Sequence, residues 1–262
     1  MSDSDASELA RLDRPEILAF LFHPRPESGG GGSGFEALTI PVDGNIELGG
    51  RWYDAGVDSP VLLFFHGNGE IVEDYHDLAR VYVEMGITFV PVDYRGYGRS
   101  TGSPTVAGML DDAHVVLNFV TAKMQSQGHS GPLVVMGRSL GSASVLELVS
   151  SHPDRVAGLV IESGFAHSRP LLRLLGVDTE ALGLRDDVLG QTKKIAAYSG
   201  PTLIIHGSED HIIPFSDGSD LLEASSSPRK TLLRVDGAHH NNLLAVDAPS
   251  YFGAMKELME SL

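Results

Sequence analysis

The chain has 262 residues, long enough for one large α/β domain with a filled core and too short for two of average size with linkers. Its 35 acidic against 19 basic residues give a formal charge of -16, which repels phosphate-rich polymers and anionic membrane surfaces, so nucleic acid is not an expected partner. The absence of cysteine rules out disulfides, thiolate chemistry and Cys-based zinc sites, and an acidic start with no membrane-length apolar run points to the cytoplasm and to no membrane span.

Residues 1–13 read as a polar, frayed start. Pro15 then opens a short apolar helix over 15–22, laid against the domain, which Pro24 and Pro26 end. Residues 28–34 are nearly all glycine and read as a flexible connector. The folded body is therefore expected over 35–262, with 1–34 as an N-terminal segment before it.

An antiparallel hairpin comes first, with strands at 35–40 and 45–53 around the Asp43-Gly44 turn. From Val61 the pattern becomes strand and helix in alternation. Strands are predicted at 61–65, 87–92, 133–136 and 156–161, and helices at 70–85, 105–124 and 140–152. Continuous apolar strands such as Val61-Leu62-Leu63-Phe64-Phe65 suit a sheet covered on both faces. The fold class is α/β, a doubly wound and mostly parallel sheet. The alternation stalls over about 163–200, where two leucine clusters read as a small helical lid; they either line an apolar pocket or anchor the lid. Strands at 201–206 and 231–235, with helices at 216–224 and 250–262, complete the pattern.

Within this order one turn stands out. In Gly137-Arg138-Ser139-Leu140-Gly141 a strand runs directly into a helix, so the chain must reverse at Ser139, and the flanking glycines permit the close approach. That geometry presents a serine hydroxyl at the carboxyl edge of the sheet, a nucleophile elbow. A second match, Gly98-Arg99-Ser100-Thr101-Gly102, lies six residues past its strand with Pro104 after it, and Ser100 reads as a loop residue.

A serine nucleophile needs a base held in one tautomer by a carboxylate, and both should follow strand ends at the same edge. The loop after 201–206 offers Glu209 and Asp210, with the shorter Asp210 preferred beyond the Gly207 turn. The loop after 231–235 offers His239 and His240, between which spacing does not choose. Developing negative charge on a carbonyl oxygen calls for two backbone N–H donors: Leu140, one past the serine, and Asn68 in the loop His66-Gly67-Asn68-Gly69. His66 itself reads as a structural hydrogen bond within that loop.

Together with Asp93-Tyr94-Arg95-Gly96-Tyr97-Gly98, His206-Gly207-Ser208-Glu209-Asp210 and Gly237-Ala238-His239-His240-Asn241, these motifs resemble the alpha/beta-hydrolase superfamily from residue 35 to the C-terminus. They are most similar to its small-lidded serine hydrolases, the branch that includes depalmitoylating thioesterases and bacterial esterases. The resemblance implies Ser139 as nucleophile, Asp210 as orienting acid, Asn68 and Leu140 as oxyanion donors, and, from a Gly-x-Gly-His-Asn-Asp pattern, His240 as the base. His239 stands where that pattern has its second glycine, and Asn242 replaces its aspartate. Asp93 and Arg95 read as structural. The expected activity is hydrolysis of a small-molecule carboxylic ester or thioester through an acyl-enzyme, with an apolar acyl group and no metal or organic cofactor. Acyl transfer or peptide cleavage by the same triad, or a non-catalytic binding protein of this fold, are the alternatives.

Overall fold

The computed structural model describes residues 9–29, 32–184 and 187–262. At its centre β3 (Val61–Phe65) is apolar throughout and buried along its whole length. Alternate side chains serve opposite faces. Val61, Leu63 and Phe65 join one core cluster, and Leu62 and Phe64 the other. Around it lie β1 (Glu36–Asp43), β2 (Ile46–Trp52), β4 (Thr88–Val92), β5 (Leu133–Arg138), β6 (Gly158–Glu162), β7 (Thr202–Gly207) and β8 (Lys230–Val235), in the order β1-β2-β4-β3-β5-β6-β7-β8. The hairpin β1–β2 is antiparallel, and β3 to β8 run parallel.

The order matters for function. From β3 the chain steps outward to β4, then crosses back over β3 to β5, so the loops that leave β3 and β5 depart in opposite senses from neighbouring strands. A crevice opens between them at the carboxyl edge. Tyr82 of α2 (His76–Glu84) and Tyr251 and Met255 of α8 (Leu243–Glu260) pack on one face; Val116 and Leu117 of α3 (Val106–Gln127) and Val145 and Leu148 of α4 (Gly141–Ser151) pack on the other. Between β6 and β7 the predicted excursion holds two short helices, α5 (Ser168–Leu174) and α6 (Gln191–Ala196). Its leucines divide: Leu172 and Leu184 are buried in the core, whereas Leu174 faces solvent. The helix α7 (Phe215–Ala224) joins β7 to β8.

Three expectations need correction. The helix predicted over 70–85 begins as a 3₁₀ turn, Val72–Tyr75, before α2. The closing helix starts at Leu243, not 250, and bends at Asp247, whose φ of -148° is not helical, just ahead of Pro249. Proline cannot donate to the preceding turn, which makes a bend there tolerable.

The third concerns the N-terminus, where the body does not begin at residue 35. Residues 9–12 are helical, and Leu9 and Leu12 are buried in the main core. Both carboxylate oxygens of Asp13 accept from the first turn of α3, from Val106 N–H at 2.6 Å and Ala107 N–H at 3.1 Å, which satisfies donors every helix start leaves unpaired. The helix α1 (Pro15–Leu21) follows, with Leu21 buried against the body and Phe20 outward. Residues 1–8 of the expected frayed start, and 30–31 of the glycine connector, lie outside the described residues.

Candidate active site

Ser139 sits between β5 and α4 with φ of 51°, a left-handed conformation that costs a non-glycine residue energy and persists where surroundings enforce it. Here they do. Its N–H donates to the carbonyl of Glu162 at 2.8 Å, and its carbonyl accepts from the Ser142 N–H and hydroxyl at 3.0 and 2.7 Å. The flanking glycines are required by contact. A Cβ on Gly137 would lie 2.3 Å from the Gly141 carbonyl oxygen, and one on Gly141 2.1 Å from the Phe65 carbonyl oxygen. The strand, the helix and β3 meet too closely for side chains.

Three distant residues converge on this turn. The Ser139 hydroxyl lies 3.0 Å from His240 Nε2, and His240 Nδ1 lies 2.7 Å from Asp210 Oδ2. Asp210 is buried, which raises its carboxyl pKa. Hydrogen bonds from His206, His240 and the Ile213 N–H outweigh that and hold it well below the usual carboxylate range. Its Oδ1 accepts from Ile212 and Ile213 N–H, each at 2.9 Å. An ionised carboxylate can only accept, so His240 Nδ1 carries the hydrogen and Nε2 is left to accept from the serine.

The alternatives in each loop fall elsewhere. Glu209 is exposed. His239 is also exposed, its N–H donating to the Asn242 side chain at 2.7 Å, so the asparagine that departs from the superfamily pattern ties down the turn before α8. Ser100 accepts from Gly49 N–H at 2.8 Å and donates to the Asp93 carbonyl at 3.3 Å, a purely structural pairing. Asp93 accepts from Val72 N–H at 2.8 Å, and Arg95 forms a paired bond to Asp112 at 2.7 and 2.6 Å. His66 is fully buried, its Nδ1 2.8 Å from the Gly67 carbonyl.

The hydrogen bonds of the described residues leave the backbone N–H groups of Asn68 and Leu140 without an acceptor. They belong to the loop after β3 and to the residue after Ser139, on the adjacent ends that the strand order creates.

Two features escape a motif-based reading. The first is Arg138, the variable residue of the elbow, which is buried. It pairs with Glu70 at 2.6 Å and Glu162 at 2.9 Å and donates to the His240 carbonyl at 3.0 Å and Asn241 Oδ1 at 2.8 Å. Burial works against its charge, but Glu162 and Glu70 outweigh it and hold the guanidinium pKa above its ordinary value. Glu70 in turn accepts from Gly67 N–H at 2.7 Å, so one guanidinium links the elbow, the histidine loop and the loop carrying Asn68. The available signal was a charge inside an otherwise apolar strand end, which must find partners.

The second is the stretch Leu21 to His23. Asn68 Nδ2 donates to the Leu21 carbonyl at 2.8 Å, and His23 N–H donates to Asn68 Oδ1 at 3.0 Å and to the Tyr97 hydroxyl at 2.8 Å. No local sequence signal links residues this far apart. A cavity of about 50 Å³ lies beside Leu140, lined also by Leu21, Phe22, Leu171 and Leu175. Among the described residues no cluster of three or more metal-ligating side chains occurs, and no helix is long and apolar enough to cross a membrane.

Comparison with known proteins agrees with the fold. Residues 58–182, somewhat under half the chain, match the family model for serine aminopeptidase, S33; Ser139 falls inside it, and Asp210 and His240 beyond it. The YfhR protein of Escherichia coli (strain K12) is 27% identical over 179 residues, covering 68% of this chain and 62% of YfhR. The lysophosphatidylserine lipase ABHD12 of Danio rerio is 29% identical over 199 residues, covering 68% of this chain and 51% of the lipase. The chain therefore spans only about half to three-fifths of these two relatives. The structure of esterase Pf2001 from Pyrococcus furiosus superposes with a TM-score of 0.71 at 18% identity, covering 91% of this chain and 99% of the esterase. Its strand order, its elbow and these similarities agree on one point: the chain has the alpha/beta-hydrolase fold.

Proposed function

We propose that this protein is a serine hydrolase that cleaves a carboxylic ester or thioester through an acyl-enzyme on Ser139. The observation that carries the reading is the continuous line from Ser139 Oγ through His240 to Asp210, at 3.0 and 2.7 Å. Ser139 Oγ attacks the substrate carbonyl as His240 Nε2 takes its proton, and Asp210 stabilises the imidazolium that forms. The oxygen that becomes negative is received by the N–H groups of Asn68 and Leu140, where losing one good donor costs about a hundredfold to a thousandfold in rate. His240 returns the proton to the leaving alcohol or thiol. A water then attacks the acyl-serine, with His240 again as base, and releases the acid.

The apolar cavity beside Leu140 favours acyl groups over the aminoacyl substrates that the S33 family name suggests. An aminopeptidase needs a carboxylate for the substrate ammonium, and no carboxylate lines this cavity. The cysteine-free composition supports a cytoplasmic setting, which cell fractionation tests.

A fluorophosphonate probe tests the reading. It should label the wild type and fail on Ser139→Ala. Turnover of p-nitrophenyl esters should fall by several orders of magnitude in His240→Ala and only modestly in His239→Ala. Labelling that survives Ser139→Ala, or the reverse ranking of the histidines, defeats it. An aminoacyl anilide turned over faster than any ester would move the assignment to peptide cleavage.

A further inference from the structure

The segment Leu21 to Arg25 lies as a strap across the loop that follows β3. The Asn68 carboxamide grips it twice, through the Leu21 carbonyl and the His23 N–H. Tyr97 completes the clasp by donating to Asn68 Oδ1 at 2.7 Å while accepting from the same His23 N–H. Arg25 Nε then donates to the Gly69 carbonyl at 2.8 Å, and the Arg25 carbonyl accepts from Gly98 N–H at 2.9 Å. A residue proposed as an oxyanion donor by its backbone thus holds the strap by its side chain.

Just before the clasp, Leu21 and Phe22 turn inward, both nearly fully buried, and form a wall of the cavity that Leu140 also lines. Ser168, the polar residue on the lining, has its hydroxyl engaged by the Val188 N–H at 2.7 Å, so the cavity presents carbon to an occupant. A volume of 50 Å³ accommodates about three or four water-sized groups. That is the size of a short aliphatic chain.

We propose that the strap sets acyl-chain length: Leu21 and Phe22 close the acyl cavity so that it accepts an unbranched acyl group of about two to four carbons, and the Asn68–Tyr97 clasp keeps that wall rigid against the loop that receives the oxyanion. This rests on the hydrolase reading above and names its substrate class. Leu21 and Phe22 are specificity-determining and Tyr97 is a positioning residue; none of them touches the bond that breaks.

A panel of p-nitrophenyl esters from acetate to dodecanoate, assayed by kcat/KM, tests it. Phe22→Ala should lengthen the preferred chain, raising the hexanoate to butyrate ratio about tenfold or more. Phe22→Trp should shorten it, raising the acetate to butyrate ratio instead. Tyr97→Phe removes one hydroxyl and keeps the ring; it should flatten the chain-length profile several-fold without moving its peak. A merely structural strap would lower all rates together and leave the ratios alone. Turnover with unchanged ratios in all three variants overturns this inference alone. A wild type with neither ester turnover nor probe labelling removes the hydrolase reading, and this one with it.

Discussion

The tripeptide Gly-Arg-Ser occurs twice, at residues 98–100 and 137–139, and the two copies have opposite fates. In the first, Arg99 is exposed beside Glu27, and Ser100 spends both its donor and its acceptor on backbone groups of β2 and the loop. In the second, Arg138 is buried between two glutamates and Ser139 is held at positive φ with its hydroxyl facing a histidine. Identical residues therefore become a loop staple or a candidate nucleophile according to what abuts them. The first copy is separated from its strand by five residues; the second is wedged between strand and helix with no residue to spare. Close packing at Gly137 and Gly141 is what turns the hydroxyl outward.

Substitutions in pairs can break this contrast, and the largest effect is on rate. Ser139→Ala should lower ester turnover by about 10⁵-fold or more, while Ser100→Ala leaves it within a few-fold. Equal losses would erase the distinction.

The arginines should differ next, in stability. Removing Arg138 strands buried Glu162 in a low-dielectric interior and leaves half-buried Glu70 without its cation, so Arg138→Ala is expected to cost about 3 kcal/mol in urea unfolding. Arg99→Ala, at a side chain more than half exposed, should change stability by less than about 0.5 kcal/mol.

A pH series sharpens the comparison on the catalytic side. The Asp210 pKa is depressed in the folded state, so its carboxylate contributes stability above the unfolded value of about 4 and loses that contribution as pH falls below it. The stability gap between wild type and Asp210→Asn, about 2 kcal/mol at pH 7, should narrow progressively as pH falls below about 4. A gap that widens on acidification would contradict the hydrogen-bonded, ionised carboxylate. The staple contributes less than the triad carboxylate: Ser100→Ala should cost about 1 kcal/mol, because Gly49 N–H loses its acceptor.

The parallel half of the sheet was legible in the sequence because strands buried on both faces leave unbroken apolar runs, as at Val61 to Phe65, and because each run is followed by a helix with a single apolar stripe. The serine was legible for a related reason: only one of the two Gly-Arg-Ser turns lacks room for a loop. The histidine was legible only through the superfamily pattern, since register within a loop is set by contacts such as His239 N–H to Asn242 that spacing does not encode. Arg138 was passed over because a motif position written as variable hides a buried charge. The N-terminal helix was expected against the domain, but how it is held was not legible, because its glycine run and polar start carry the composition of a linker while its anchors, Asp13 on α3 and Asn68 on Leu21, are long-range. The early start of α8 was hidden by Pro249, which bends that helix without ending it.

The two hydrogen bonds that Asp13 accepts from the first turn of α3 bear on how the protein can be shortened. A boundary drawn at the glycine run would keep all eight strands and all three residues of the candidate triad. It would also leave two helix amides bare and expose the oily lining beside Leu140, and a trimmed enzyme of that kind should be sticky in solution and indiscriminate toward esters even if its sheet is intact.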